Sequence, residues 1–133
     1  MLRFMLDSNL CIHAMRNPDS SVLAKLDAHE GEFCISSVVL HELIHGAERS
    51  RRPEHHRRVI AEFADGVDLL DFDAEAANHS GQIHASLARS GQIIGAYDML
   101  IAGHARSRGL TVVTNNLKEF SRIEGLRCED WLA

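Results

Sequence analysis

The chain has 133 residues, 45% apolar, 25% charged and 5% aromatic, the proportions of one globular domain over residues 1–133 that buries roughly two-thirds of its unfolded surface and needs no staples. Fourteen lysines and arginines against nineteen acids give a net charge of −5, which excludes a protein that coats nucleic acid through bulk positive charge. Cys11, Cys34 and Cys128 are far apart with no C-x-x-C pair, so neither a disulfide framework nor a cysteine zinc site is expected, and the compartment is expected to be reducing.

Leu2 to Leu6 is a short apolar run, interrupted by Arg3 and closed by Asp7. It is no signal peptide and reads as a strand buried on both faces of a parallel sheet. Helical sequence follows from Asn9 to Met15 and stops at the turn Asn17-Pro18-Asp19. Ser20 or Ser21 caps a second helix through Ala28. Phe33 to Ile35 is a second strand, after which Ser36 or Ser37 caps a helix to about Arg49. Pro53 opens another helix, to about Ala64. Val67 to Phe72 is a third strand among acids, followed by a long helix from Ala74 to Arg89 and a connection from Gly91 to Gly95. Ala96 to Arg108 forms a helix closed by Gly109. Thr111 to Thr114 is a fourth strand, Leu117 to Ser121 a helical turn, and Leu126 to Cys128 a candidate fifth, edge strand. No apolar run approaches the ~20 residues of a membrane span. Strand and helix alternate throughout, so the fold class is α/β, with a mostly parallel sheet of four or five strands and helices on both faces.

In such folds ligands bind beyond the carboxyl ends of the strands. Asp7 ends the first strand, and Asn115 and Asn116 end the fourth. Glu42 lies in the first two turns of the helix after the second strand, and Asp98 in the first turn of the helix before the fourth. Asp98 shares a helical stripe with Ile101, Ala102 and Ala105, where a charge is costly unless paired or bound to a metal. The small residues Ala96, Ala102, Gly103 and Ala105 imply that this helix lies close to the sheet, and Gly46 leaves open space one turn beyond Glu42. Singly, each acid is an ordinary turn, surface or helix-start residue. Converging, they would repel one another and raise their pKa values unless a divalent cation neutralised them, and hard oxygen donors select Mg²⁺ or Mn²⁺.

Residues 41–45 read H-E-L-I-H, the zinc metalloprotease pattern, with His41 and His45 on one helical face and Glu42 as general base. Its extended H-x-x-G-x-x-H continuation fails at Glu48 and Arg51. Half-buried or surface helix positions are the plainer reading for both histidines. A receiver-type regulator also places acids at strand ends, but it pairs two of them near the first strand with a lysine at the last, and Thr114 to Asn116 offer none.

Four blocks in order carry a resemblance across the whole chain: D-S-N at Asp7 to Asn9, S-x-V-x-x-x-E-L-x-x-G at Ser36 to Gly46, Y-D-M-L-I-A-G-H-A at Tyr97 to Ala105, and V-T-N-N-L-K-E-F at Val113 to Phe120. Together they resemble the PIN-domain ribonucleases, more narrowly the VapC toxins of bacterial toxin–antitoxin pairs. The last block and the I-x-x-Y-D-x-L-I-A segment resemble most the subgroup that cuts initiator tRNA in its anticodon stem-loop. The resemblance implies a three-layer α/β/α PIN-like fold and a cytoplasmic endoribonuclease that inhibits translation. Asp7, Glu42 and Asp98 would be its acidic triad, with Asp7 and Asp98 as the direct Mg²⁺ or Mn²⁺ ligands. Many members carry a further acid after the last core strand, in a T-x-D sequence. Here that position is Asn116, and Glu119 is the nearby substitute. Ser8, Asn9 and Thr114 are candidate hydrogen-bond partners of the acids.

The same resemblance implies a homodimer and a VapB-type antitoxin whose tail blocks the site, often with an arginine against the acids; apolar surface of the second and fourth helices is the candidate groove. Arg49, Arg51, Arg52, Arg57 and Arg58, five of the fourteen basic side chains, are the candidate grip on the RNA backbone. A non-catalytic RNA-binding α/β module is the alternative to the enzyme.

Overall fold

Three strands form the most protected part of the molecule: β1 (Phe4–Leu6), β2 (Phe33–Ser36) and β4 (Thr111–Val113) are buried along their whole length. Their apolar runs do not alternate because helices cover both faces of a parallel sheet. The edge strands, β3 (Asp68–Leu70) and β5 (Cys128–Glu129), are more open. The computed structural model describes residues 1–132, and its sheet has the order β3-β2-β1-β4-β5 with every neighbouring pair parallel. Phe4 sits opposite both Phe33 and Thr111, and Leu6 opposite Val113.

Helices α1 (Ser8–Arg16) and α2 (Ser21–Ala28) connect β1 to β2; α3 (Ser37–Glu48) and α4 (Pro53–Asp65) connect β2 to β3. α5 (Ala74–Arg89) and α6 (Ala96–Ser107) return from β3 to β4, and α7 (Leu117–Phe120) leads to β5. The strand order runs outward from β1 to β3 and then jumps back across to β4. Right-handed crossovers therefore put α1 to α4 on one face and α5 to α7 on the other, a three-layer α/β/α arrangement. The reversal falls between β1 and β4, and the crevice beyond their carboxyl ends is the topological switch point where α/β sheets bind ligands.

Local chemistry explains the boundaries. Asp7 caps α1 through its side chain, so that helix starts one residue before Asn9. Ser36 caps α3, its Oγ accepting from the Val38 N–H at 3.1 Å. α6 ends as expected at Gly109, whose φ of +66° is left-handed. The N–H of Leu110 donates to Ala105 at 2.9 Å and that of Gly109 to Arg106 at 3.2 Å, the bond pair of a Schellman motif. β3 is shorter than Val67 to Phe72 because the Phe72 N–H is drawn off by Ser37 Oγ at 3.0 Å. One of the small residues of α6 has a different use from the one expected of it. Gly103 faces α5, where an added Cβ would stand 2.5 Å from the Ser80 backbone nitrogen. Among the described residues no helix is long and apolar enough to cross a membrane.

Candidate active site

Asp7 leaves β1 at the switch point. Its N–H donates to the Val113 carbonyl at 3.1 Å, tying it to β4, and its carboxylate accepts the Leu10 N–H at 2.8 Å. Only 3% of the residue is exposed. Burial pushes its pKa up, the Thr114 hydroxyl and the Leu10 N–H pull it down, and Asp130 beyond β5 pushes it up again. Asp130 was missed from the sequence, although a strand-end search extended past Cys128 reaches it.

Glu42 comes from the second turn of α3. One of its oxygens, Oε1, is buried with no hydrogen-bond partner. Its pKa is raised by burial first and by repulsion from Asp7, with Ser8 and His41 acting in the opposite direction. The space expected beside it exists, since nothing lies within 4 Å of a Cβ at Gly46. It opens into a groove of about 340 Å³ lined by Ile12, Glu42, Gly46, Ser50, His55 and Ile60 among others. The groove therefore runs between α1, α3 and α4, with no residue of α2 among those lining it.

Asp98 is half-buried in the first turn of α6. Burial, a hydrogen bond with the Glu119 carboxyl, and repulsion from Glu119, Asp7 and Glu42 push its pKa up to about 7. The two residues suggested for the position after the last core strand turn out to work as a pair. Asn116 Nδ2 donates to Glu119 Oε2, and Glu119 stands against Asp98. Asn116 is itself set by its N–H, which donates to Thr114 Oγ1 at 2.9 Å. Asn9 is exposed. Fully buried His104 joins α6 to the cap of α3 through its Nδ1 and Ser36 Oγ, 2.8 Å apart, which fixes the Asp98 helix relative to the Glu42 helix.

The charges acting on Asp7, Glu42 and Asp98 are one another's, those of Asp130 and Glu119, and that of His41. Neither lysine nor arginine is among them. An all-oxygen donor set of this kind, with one buried and unpartnered carboxylate oxygen, fits a hard divalent cation. Among the described residues no three Asp, Glu, His or Cys side chains already close on a single point, so the donors share a crevice without being folded round an ion. In metal-free buffer the raised acids favour the proton-bound folded state. The folded chain then binds more protons than the unfolded one between the usual aspartate pKa of 3.8 and about 7, so stability falls as pH rises through that window. Asp98→Asn removes this penalty. Its Tm in EDTA is expected to exceed that of wild type at pH 7.5 and to converge with it near pH 4, as read by thermal melts across pH.

His41 and His45 are exposed and lie side by side with ring centroids 6.3 Å apart, and His41 Nε2 is 3.0 Å from the Tyr97 hydroxyl. This pair was missed, although Tyr97 directly precedes Asp98 and His41 directly precedes Glu42. In the basic segment Arg57 is spent on an ion pair with Glu48. Arg49, Arg51, Arg52 and Arg58 are exposed.

Known proteins resemble this chain over nearly its whole length. Residues 4–126 match the PIN domain family. The chain is 55% identical to the tRNA(fMet)-specific endonuclease VapC of Shigella flexneri, covering 98% of this chain and 99% of that protein. Its fold matches that of DNA-bound VapBC from Salmonella typhimurium with a TM-score of 0.95 at 51% identity, over 98% of this chain and 99% of the other. VapBC2 from Rickettsia felis, bound to a DNA fragment from its promoter, matches with a TM-score of 0.93 at 35% identity over the same shares. The peptidase and receiver readings are thereby set aside: the chain belongs to the PIN-domain family, within its VapC branch.

Proposed function

We propose that this chain, working as one PIN unit over residues 1–133, is a cytoplasmic endoribonuclease toxin that depends on Mg²⁺ or Mn²⁺. Its substrate is initiator tRNA, cut in the anticodon stem-loop so that translation stops. The observation that carries this reading is the gathering of Asp7, Glu42 and Asp98 at the switch-point crevice, with neither lysine nor arginine among the charges that act on them. The name of the Shigella flexneri relative supports the choice of RNA.

In this reading Asp7 and Asp98 hold the cation. Bound there, it lowers the pKa of a water and offsets charge on the phosphoryl oxygens. Asp7 is suited to the task because the α1 cap and Thr114 leave it little freedom. Glu42, with its unpartnered Oε1, orients the attacking water and takes its proton. Asn116 and Glu119 keep Asp98 in place. Water attacks phosphorus and the 3′ oxygen leaves with a proton, giving a 3′-hydroxyl and a 5′-phosphate with no part for the 2′-hydroxyl. Arg49, Arg51, Arg52 and Arg58 grip the RNA backbone beside the site, with Arg57 held back by Glu48. The groove between α1, α3 and α4, which ends at Glu42, receives a VapB-type antitoxin segment, and the toxin works as a homodimer.

Mapping RNA 5′ ends in cells that express wild-type or Asp7→Ala protein tests the proposal. One new end in the anticodon loop of initiator tRNA is expected with wild type alone. The same ends with both proteins would leave only a non-catalytic RNA-binding module.

A further inference from the structure

We propose that Tyr97, held by His41, is a stacking platform for the nucleobase next to the scissile phosphate; the inference rests on the endoribonuclease reading. Tyr97 is the chain's one tyrosine, and it is 45% exposed in a protein with few aromatic residues. It sits one position before Asp98 on α6, and its partner sits one position before Glu42 on α3. Their contact, with the hydroxyl 3.0 Å from Nε2 and ring centroids 5.5 Å apart, bridges the two helices that supply those acids. A phosphate drawn to the carboxylates would bring its neighbouring base to this rim.

The chemistry of the rim suits a base better than a phosphate. An arginine placed so near Asp98 and Glu42 would pair with them, whereas a neutral ring leaves the acids free and takes hold of the nucleotide through its base. The bond to His41 fixes the direction of the phenol ring, so less side-chain freedom is lost on binding. His45 continues the surface, its ring inclined only 25° to that of His41, with Ile44 beside it 41% exposed. Unpaired bases in an RNA loop are the natural occupants, because they are splayed out of their own stack and bind aromatic side chains with little regard to sequence. The histidines of H-E-L-I-H thus act as flat, exposed rings, and Tyr97 is a substrate-positioning residue.

The test uses the full chain and an RNA hairpin spanning the cut mapped with the wild-type protein. Tyr97→Ala is expected to raise KM roughly ten-fold with kcat little changed, and Tyr97→Phe, which keeps the ring, to recover most of that loss. Replacing one of the bases flanking the cut by an abasic nucleotide should raise the wild-type KM by a similar factor and have no further effect in Tyr97→Ala, as for two changes that remove one contact. An unchanged KM in Tyr97→Ala, or losses that multiply when the two changes are combined, would overturn the proposal. So would loss of activity together with loss of dimer in sedimentation, which would assign this face to a second copy of the chain. A wild-type protein that cuts no RNA at all would instead bring down the ribonuclease reading, and this one with it.

Discussion

Asp7→Asn is expected to abolish RNA cleavage, by roughly three orders of magnitude or more given what metal-centred charge stabilisation contributes, while the protein remains as stable as wild type or becomes more so. Two features of one side chain produce this split. The Asp7 carboxylate accepts the Leu10 N–H at 2.8 Å as the cap of α1, and asparagine caps as well as aspartate. The negative charge, by contrast, is opposed by burial and by Asp130, so removing it relieves the fold while depriving a bound cation of a ligand. Asp7→Ala should lose the same activity and also cost about 1 kcal/mol through the missing cap. Cleavage rates with enzyme in excess, paired with thermal melts in EDTA, separate the two effects. Asp7→Asn activity within ten-fold of wild type, or a large loss of stability, would contradict the assignment.

Gly103→Ala should be the most damaging single methyl in the chain. The added Cβ would lie 2.5 Å from the Ser80 nitrogen and 2.6 Å from its Cα. Both are backbone atoms, which cannot rotate aside as a side chain would, so α5 and α6 must separate. Overpacking of this kind costs roughly 1–3 kcal/mol, which for a domain of this size lowers Tm by roughly 5–15 °C. Activity should fall as well, because Asp98 lies on the same helix, which His104 and Ser36 hold to the cap of α3. Gly46→Ala, inside α3 with nothing within 4 Å of the new Cβ, serves as the control and should melt a few degrees above wild type, since it gains helix propensity without a clash. Equal melting of the two variants would show that α5 and α6 have room to spare.

The order of elements was legible because the physical signals are local. Ser36 before Val38 reads as a cap, Gly109 as a helix stop, and Phe4-Met5-Leu6 as a strand with both faces covered. The three acids were legible as strand-end and helix-start residues, and the family resemblance pointed to Glu119 as the substitute for the acid missing at Asn116, while its contact with Asp98 was not foreseen. Contacts between distant segments could not be read in this way. Nothing in a stripe of small residues says whether they meet a sheet or a helix, so Gly103 was referred to the sheet when it faces Ser80. The same holds for His41 and Tyr97, 56 residues apart, and for Trp131, whose ring stacks on His29 at 5.1 Å and meets Phe4 edge-on. Edge strands fared similarly. β3 lost Phe72 to a hydroxyl from α3, a competition between partners that periodicity does not record.

Whether the carboxylates at the β1/β4 switch point make a metal-dependent hydrolytic site for RNA is tested most directly by incubating the purified protein with initiator tRNA in Mg²⁺ and determining the chemistry of the new ends. A single cut in the anticodon stem-loop is expected, leaving a 5′-phosphate and a 3′-hydroxyl, lost in EDTA and restored by Mg²⁺ or Mn²⁺. A cut that persists in EDTA, or one that leaves a 2′,3′-cyclic phosphate and a 5′-hydroxyl, would contradict such a site.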